Sequence, residues 1–359
     1  MNNAIRSSTT QSCYDRVVAA EPAGAPSAEW LSSALGSAVE PVHVEPLGDG
    51  VGLLATLTRV ELADGRRLVV KQPSTDATNH HIARYFGYYA REAGVYHSLL
   101  PRDGIVTPHC HAVVDGASGP SLILDDLAGY QPGDQLVGAT ARQALAAVDL
   151  LARIHAAFWN DPVLAVCDWL PGPTDEVIAG YRRLFALTWD EFRARMAREI
   201  QDDQLAAAEE AIAQFDAVCS HFANAPRTLV HGDFRLDNLL FAPDGRAAAL
   251  DWQLAAWGRG IYDLALFLAG SVEPDLRRAL EPALIERYHA NLVAAGIDDY
   301  PLAACWRDYR LGHVLNLPNP VTALVAVSGG NERGVAMLRA NARRALAAVA
   351  DHLPSVSFA

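Results

Sequence analysis

The chain has 359 residues, 51% of them hydrophobic, and is therefore long enough to form two lobes or domains with sizeable cores. Its formal net charge of −13 disfavours nucleic-acid binding, which calls for a basic surface. No apolar run reaches the roughly 18 residues of a membrane span, and Met1–Ser12 have no apolar core of the kind that a signal peptide needs. The five cysteines are scattered without C-x-x-C spacing. We therefore expect a cytoplasmic protein that binds no membrane.

The N-terminal part of the chain is predicted to contain a tail, a short helix and a small sheet. Residues 1–25 are polar and then rich in Ala, Pro and Gly, which predicts a flexible tail. Ser27–Leu35 are predicted to form a short helix that ends at Gly36. We expect residues 26–125 to form an N-terminal nucleotide-binding lobe and the alanine-rich residues 126–359 to form a C-terminal catalytic and substrate-binding lobe.

A glycine-rich stretch that contains Gly48, Gly50 and Gly52 precedes a predicted pair of strands. The turn Ala63-Asp64-Gly65-Arg66 joins the two strands, and the second strand ends at Lys71. Glycines let backbone amides approach phosphate groups closely. Such a stretch on its own is more often a plain turn. Its position just before the strand that ends at Lys71 favours a loop that binds nucleotide phosphates.

Lys71 is the only lysine in a chain with 29 Lys and Arg residues. Since arginine supplies every other cationic side chain apart from histidine, the retained lysine indicates a position that needs a compact point charge rather than a planar fork. Contact with phosphate groups is such a need. The alternative is chance survival of one lysine in an arginine-rich chain.

The stretch after Lys71 is predicted to be one helix over about residues 80–100, with Asn79 as its N-cap. The apolar positions alternate steps of three and four residues and define one face: positions 82, 85, 89, 92, 96 and 99. Glu92 lies on that face and is the only acidic residue of the helix. Because a buried carboxylate needs a partner, we expect an ion pair with Lys71. The alternative is a glutamate at the edge of the face, paired with Arg91 or solvent.

Residues 229–253 are the most informative stretch of the chain. They contain His231, Asp233 and Asn238 in the spacing H-x-D-x-x-x-x-N, and Asp251 follows at the end of an apolar run. Phosphoryl transfer uses these residue types, because one carboxylate orients and deprotonates an acceptor hydroxyl. An amide oxygen and a second carboxylate then hold Mg²⁺ on the nucleotide phosphates.

Pro243-Asp244-Gly245 separates two short apolar runs, and Asp-Gly predicts a hairpin with a two-residue turn. Pairing outward from that turn places residue 242 opposite residue 247 and Asn238 opposite Asp251. Directly opposed residues share one face of a sheet, with Cβ atoms about 4.5–5.5 Å apart, so both side chains are expected to reach one cation. The alternative is an ordinary surface hairpin with solvated polar residues.

Together these residues resemble the aminoglycoside phosphotransferase and choline kinase superfamily, whose members are kinase-like small-molecule phosphotransferases. The stretches 250–265 and 151–159 are most similar to its ecdysteroid kinase-like and related bacterial branches. The resemblance extends over about residues 40–345. It implies an α+β, two-lobed protein-kinase-like fold with a small antiparallel-sheet N-lobe and a larger, mainly helical C-lobe.

The resemblance also implies roles for the residues of the C-lobe. Asp233 would be the catalytic base, and Asn238 and Asp251 would be the ligands of Mg²⁺. His231 and Asp263 would support the catalytic loop structurally. This chain has Arg235-Leu236 where several relatives carry Trp, which is a departure from their pattern.

The nucleotide-binding residues that the resemblance implies lie mainly in the N-lobe. Lys71 would contact the α- and β-phosphates, with Glu92 bracing it. The backbone of residues 121–127 would receive the adenine, although Asp125 stands where Glu is common. The complete expected set is Gly48, Gly50, Gly52, Lys71, Glu92, Asp125, Asp126 and Leu127.

The sequence therefore predicts an enzyme that uses Mg²⁺ with ATP to phosphorylate an alcohol group of a small molecule. Its expected partners are ATP and a hydroxylated acceptor, which could be an antibiotic, sugar, amino alcohol, steroid-like compound or lipid-derived alcohol. One alternative is a kinase-like protein that binds nucleotide without turnover. A protein kinase is the other, but only eleven residues separate Asp251 from Asp263, which leaves little room for an activation segment. The oligomeric state stays open.

Overall fold

The computed structural model describes residues 17–18, 24–47, 54–172, 176–326 and 332–353. Internal contacts divide the chain into two compact units. The N-terminal unit comprises Met1–Pro101 and His109–Asp126, and the C-terminal unit comprises Arg102–Pro108 and Leu127–Ala359. The division of function between residues 26–125 and 126–359 stays a prediction.

The N-terminal unit is built on one sheet in the order β1-β5-β6-β4-β3-β2. Its strands are β1 (Val17–Val18), β2 (Pro41–Pro46), β3 (Ala55–Leu62), β4 (Arg67–Pro73), β5 (Cys110–Asp115) and β6 (Ser121–Asp125). All neighbouring strands are antiparallel except β1 and β5, which run parallel. Val17–Val18 therefore belong to the sheet, although they fall within the predicted tail. Gly48, Gly50 and Gly52 lie outside the described residues.

The predicted short helix is confirmed and covers one face of this sheet. Helix α1 (Ala28–Leu35) begins after Ser27, whose hydroxyl accepts a hydrogen bond from the Trp30 amide at 3.2 Å. It ends at Gly36, which has a φ of 67° that glycine adopts without a steric penalty. The buried cluster between helix and sheet includes Trp30, Leu31, Val60, Val70 and Ile123.

The single helix predicted over residues 80–100 is wrong, because the chain forms two helices there. These are α2 (Ala77–Tyr85), capped by Asp76 rather than by Asn79, and α3 (Tyr88–Gly94), which a π-helical turn (Val95–Leu99) extends. Gly87 separates them with a φ of 70°. The predicted apolar face is accordingly divided: Tyr85 is 74% exposed, whereas Glu92 is buried.

The C-terminal unit is mainly helical. Its helices are α4 (Ala141–Ala157), α5 (Glu176–Met196), α6 (Asp202–Ala213), α7 (Phe215–Phe222), α8 (Ile261–Ser271), α9 (Pro274–Ala294), α10 (Leu302–Asn316), α11 (Pro318–Ala326) and α12 (Glu332–His352). Its short strands are β7 (Gln131–Pro132), β8 (Thr228–Val230), β9 (Leu239–Phe241), β10 (Ala247–Ala249) and β11 (Ala256–Gly258). Strands β10, β9 and β7 form one small sheet, and β11 pairs with β8.

The predicted α+β class is confirmed, with a small, mainly antiparallel sheet in one unit and a larger, mainly helical second unit. Helix α8 packs against α10 and α12, and α4 packs against α9, so the short strands are supported by buried helices. Among the described helices, none combines the length and the apolar character that crossing a membrane requires.

Candidate active site

The loop from His231 to Asn238 connects β8 to β9 and is fixed by one buried carboxylate on α8. Asp263 accepts hydrogen bonds from the backbone amides of His231, at 2.6 Å, and Gly232, at 2.9 Å. Gly232 has a φ of 81°, and a Cβ atom there would lie 2.0 Å from the carbonyl oxygen of Leu254. The loop can therefore take this path only with glycine at position 232.

Asp263 has a further partner that the sequence did not reveal. His155, near the end of α4, places its Nε2 atom 3.2 Å from a carboxylate oxygen of Asp263 and its Nδ1 atom 2.8 Å from the hydroxyl of Tyr288. All three side chains are buried, and burial raises the pKa of Tyr288 well above its ordinary value. A carboxylate can only accept, so His155 donates to Asp263 through Nε2. A lone histidine on an apolar helix face was the available signal.

The imidazole of His231 connects the loop to the strand that precedes Asp251. Its Nε2 atom lies 2.9 Å from the carbonyl oxygen of Leu250, and its Nδ1 atom lies 3.3 Å from the backbone nitrogen of Asp233. A carbonyl can only accept, so Nε2 carries the proton and Nδ1 accepts from the Asp233 amide. These contacts are what structural support of the loop requires.

Asp233 and Asn238 form one hydrogen-bonded unit. The amide nitrogen Nδ2 of Asn238 donates to the backbone carbonyl of Asp233 at 2.9 Å and to its carboxylate oxygen Oδ2 at 2.8 Å. Because these bonds use the nitrogen end, the amide oxygen is the end of Asn238 that is suited to a cation. The carboxylate of Asp233 remains partly exposed, as a group that meets a substrate must be.

Arg235 is the cation that contacts the Asp233–Asn238 unit, and these three residues are called the Asp233 centre. Its Nε atom lies 3.2 Å and 3.1 Å from the two carboxylate oxygens of Asp233, and its Nη1 atom lies 3.0 Å from Oδ2 of Asp237. Burial lowers the pKa of Arg235, but the charges of Asp233, Asp237 and Asp251 outweigh it and raise the pKa above its ordinary value. The sequence showed Arg235 only as a departure from relatives and did not indicate this contact.

The predicted register of the β9–β10 hairpin is wrong by one residue. The loop contains three residues, Pro243-Asp244-Gly245, and Ala242 pairs with Arg246. Gly245 has a φ of 94°, which fits a type I turn followed by a left-handed residue. Pairs 239 with 249 and 241 with 247 follow. Asn238 therefore lies opposite Leu250, whose amide donates to the Asn238 carbonyl at 2.9 Å, and not opposite Asp251.

Asp251 lies beyond the paired part of the hairpin and not within it, as the prediction had it. Strand β10 ends at Ala249, and Asp251 has a φ of 64° and a ψ of 72°, in the left-handed region. A non-glycine residue in that region is uncommon and costs conformational energy. The negative charge of Asp251 is one of those that raise the pKa of Arg235.

The predicted ion pair between Lys71 and Glu92 is present in the N-terminal unit. The Nζ atom of Lys71 lies 2.9 Å and 2.7 Å from the two carboxylate oxygens of Glu92. The side chains are only 12% and 6% exposed, so each needs the other in order to stay ionised. Strand β4 and helix α3 thus hold one ammonium group in a fixed position.

Asp126, one of the residues expected at the adenine, is tied to the sheet by its side chain and its backbone. Its carboxylate accepts from Nε of Arg59 at 2.9 Å and pairs with Nη2 of Arg67 at 3.3 Å. Its amide donates to the carbonyl of Arg67 at 3.0 Å. The side chain of Asp126 is 7% exposed and acts as a link between β3 and β4.

Asp125 has a similar backbone bond. Its amide donates to the carbonyl of His109 at 2.8 Å, and its carboxylate lies 2.5 Å from Nε2 of His111. Because the amides of Asp125 and Asp126 are both engaged, a backbone donor to adenine in this segment would have to be Leu127.

A sequence model of the ecdysteroid kinase-like family matches residues 53–297, which is more than half of the chain. The chain belongs to the ecdysteroid kinase-like family. The match includes Lys71, Glu92, Asp233, Asn238 and Asp251.

Solved structures of small-molecule phosphotransferases share the fold of this ecdysteroid kinase-like chain, which confirms the predicted kinase-like architecture. A candidate aminoglycoside phosphotransferase from Ralstonia eutropha is 16% identical, with a TM-score of 0.61 over 92% of this chain and 97% of its own. The macrolide 2'-phosphotransferase MphH from Brachybacterium faecium is 18% identical, with a TM-score of 0.52 over 87% and 95%. An ethanolamine kinase from Plasmodium vivax is 14% identical, with a TM-score of 0.50 over 84% and 82%.

Among curated proteins, mouse acyl-CoA dehydrogenase family member 10 is 31% identical over 105 residues. That similarity covers 24% of this chain and 10% of the mouse protein. The chain thus matches about a tenth of the length of that relative.

The predicted magnesium site of this ecdysteroid kinase-like chain stays a prediction, and the donor atoms of its residues are of a type that suits this ion. Among the described residues, no three His, Cys, Asp or Glu side chains are grouped so that they could hold a metal alone. Mg²⁺ characteristically binds through one or two carboxylates together with phosphates and water. The Asn238 amide oxygen and the Asp251 carboxylate are a donor set of that kind.

Proposed function

We propose that this chain is an ATP-dependent phosphotransferase that transfers the γ-phosphoryl group to a hydroxyl of a small molecule. The observation that carries the proposal is the Asp233–Asn238 unit. A candidate base and a candidate metal ligand are hydrogen-bonded to each other at 2.8 Å, in a loop that Asp263 fixes. The Lys71–Glu92 pair supports it, because a buried ammonium group fixed by a carboxylate is suited to phosphates.

In this reaction Asp233 orients the acceptor hydroxyl and accepts its proton as the oxygen attacks phosphorus. Asn238 holds the Asp233 carboxylate through Nδ2 and presents its amide oxygen to the metal. Asp251 supplies the second metal ligand, and Lys71 holds the α- and β-phosphates. Mg²⁺ would offset the charge that develops on the phosphate oxygens.

The acceptor is expected to be a small molecule rather than a protein. Within the eleven residues between Asp251 and Asp263 the chain forms a short helical turn and β11, and α8 begins at Ile261. An activation segment that docks a peptide has no space there. An aminoglycoside phosphotransferase with a TM-score of 0.50 was solved in a ternary complex with ADP and hygromycin B, which illustrates the proposed pairing of nucleotide with small acceptor.

The test is a panel of hydroxylated metabolites and antibiotics, assayed for ADP release that depends on the acceptor. We expect at least one acceptor to stimulate ADP release in the presence of Mg²⁺. Calorimetry with ATP and Mg²⁺ on the same protein supplies the second readout. A protein that neither binds ATP nor releases ADP with any acceptor would contradict the proposal.

Lys71→Arg is expected to weaken ATP binding about tenfold or more, because a planar fork cannot replace a point charge in a tight site. The Lys71 side chain is only 12% exposed and contacts both oxygens of Glu92. Calorimetric titration with ATP measures the effect. Arg66→Lys, a reverse exchange at a residue whose side chain is 41% exposed, is the control and should leave affinity unchanged. Wild-type affinity in Lys71→Arg would argue against a phosphate contact.

Asp251→Asn is expected to abolish the increase in affinity that Mg²⁺ gives to a non-hydrolysable ATP analogue. The amide keeps the shape of the carboxylate but removes the charge that attracts the cation, and asparagine tolerates the left-handed backbone. Titrations with and without Mg²⁺ compare the variant with the wild type. If both proteins respond equally to Mg²⁺, Asp251 is not a metal ligand.

A further inference from the structure

The catalytic loop carries its own cation. Arg235 contacts Asp233 through Nε and Asp237 through Nη1. The Oδ2 atom of Asp233 that Arg235 contacts at 3.1 Å also accepts from Nδ2 of Asn238 at 2.8 Å, so the guanidinium lies next to a candidate metal ligand. Asp233 and Asp237 share this one guanidinium as their cationic partner. A divalent cation that arrives alone must displace the guanidinium or accept its repulsion.

We propose that Arg235 is the resident counter-ion of this centre and that it makes binding of a divalent cation conditional on nucleotide. The inference rests on the proposed function, since it assigns Asp251 and Asn238 to the metal. It goes beyond that function because it assigns a role to Arg235: its charge opposes a cation that arrives without the nucleotide, whose phosphates offset that charge. A centre that binds free metal poorly also avoids capture of unsuitable cations.

The position of Arg235 is fixed independently of Asp233. Asp237, its second partner, accepts a hydrogen bond from the backbone amide of Gln135 at 2.9 Å through Oδ1. The amide of Leu236, the residue after Arg235, donates to the side-chain oxygen of Gln135 at 2.9 Å. Arg235 can therefore release Asp233 to a substrate and still stay beside the centre through Asp237.

The protein supplies few ligands for the metal, which also favours entry of the cation together with the nucleotide. Among the described residues no group of three acidic, histidine or cysteine side chains could hold a metal alone. An ion with one amide oxygen and one carboxylate from the protein needs phosphate oxygens to complete its coordination. The guanidinium and the incomplete ligand set thus both oppose binding of the free cation.

The experiment measures Mn²⁺ binding by the full-length protein in the absence of nucleotide and acceptor, by calorimetry and by electron paramagnetic resonance of the free ion. The wild type is expected to bind Mn²⁺ strongly only after a non-hydrolysable ATP analogue is added. Arg235→Gln is expected to gain affinity for Mn²⁺ alone by about tenfold or more, because the repelling charge is gone. Arg235→Lys keeps the charge and should bind free Mn²⁺ as weakly as the wild type.

Two further variants locate the effect. Arg246→Gln removes an arginine in the exposed turn of the β9–β10 hairpin, where its Nε atom lies 2.8 Å from Asp244. This variant should gain no affinity for free Mn²⁺. Adding Asp251→Asn to Arg235→Gln should cancel the gain. The inference is overturned if Arg235→Gln binds free Mn²⁺ no better than the wild type, or if the wild type binds it equally well with and without the analogue.

The results of the Mn²⁺ experiments do not depend on whether the proposed function is correct. Failure to phosphorylate any acceptor would leave the Mn²⁺ measurements unaffected. A wild type that binds no nucleotide would remove the proposed function, and the comparison of Arg235→Gln with the wild type would still decide the role of Arg235. Should Arg235→Gln not fold, as judged by circular dichroism, Arg235→Met, which also removes the charge but keeps an apolar stem, takes its place in the same comparison.

Discussion

Asp233→Asn is expected to lower turnover by about 10²–10⁴-fold, the range that a general base contributes, while ATP binding persists. The amide keeps an oxygen for the Asn238 donor, which lies at 2.8 Å in the native protein, so the loop should keep its shape. The capacity to accept a proton is lost, together with the negative charge that pairs with Arg235. Single-turnover kinetics with an identified acceptor measure the effect, and calorimetry measures ATP affinity.

The matched control for this variant is Asp244→Asn, which removes an aspartate charge from the exposed turn of the neighbouring hairpin. Asp244 pairs with Arg246 and has a side chain that is 55% exposed, so turnover should stay near the wild-type value. Near-normal turnover in Asp233→Asn would rule out the role of base. A large, equal loss in both variants would indicate general electrostatic damage.

Asp263→Asn is expected to destabilise the C-terminal unit by about 3 kcal/mol or more, because a buried charged acceptor of several donors is replaced. Asp263 is completely buried and accepts from two backbone amides and from His155. Asparagine offers one oxygen only, and its amide hydrogens would face a second donor. The urea midpoint, followed by tryptophan fluorescence, reports the loss.

Asp275→Asn is the control for that stability measurement. Asp275 lies in the first turn of α9, and its side chain is 99% exposed. Exposed ion pairs contribute little, so the urea midpoint should barely move. Equal shifts in the two variants would show that Asp263 does not hold the catalytic loop.

Composition and spacing were sufficient where a residue type was rare in its surroundings. Lys71 is the only lysine, and Glu92 is the only acid on its helix face, so a pair between them was predictable. The β3–β4 hairpin followed from Asp64-Gly65 between two apolar runs. In both cases one local feature favoured the observed structure over the alternatives.

Strand register and helix breaks were harder to predict, because the sequence pattern fits two outcomes. Asp244-Gly245 fits a two-residue turn, but with Pro243 it fits a three-residue loop equally well, and the difference moves Asn238 from Asp251 to Leu250. The helical periodicity after Lys71 continues through Gly87, and only the left-handed conformation of that glycine ends α2.

His155 and Arg235 could not be assigned from the sequence, since their roles depend on partners that folding brings close. His155 meets Asp263 across 108 positions of the chain. Arg235 is near Asp233 in sequence, but the direction of its guanidinium depends on Asp237 and on the loop that Gln135 braces. Side-chain direction in an irregular loop has no periodic signal that a sequence pattern could show.

The left-handed backbone at Asp251 limits which residues can replace this aspartate in related proteins. With a φ of 64°, the position accepts Asn or Gly readily, whereas a β-branched residue would strain the junction after β10. Relatives that keep the fold without the carboxylate should therefore carry Asn or Gly at this position. Variants with Val or Ile at this position should be inactive and also poorly expressed.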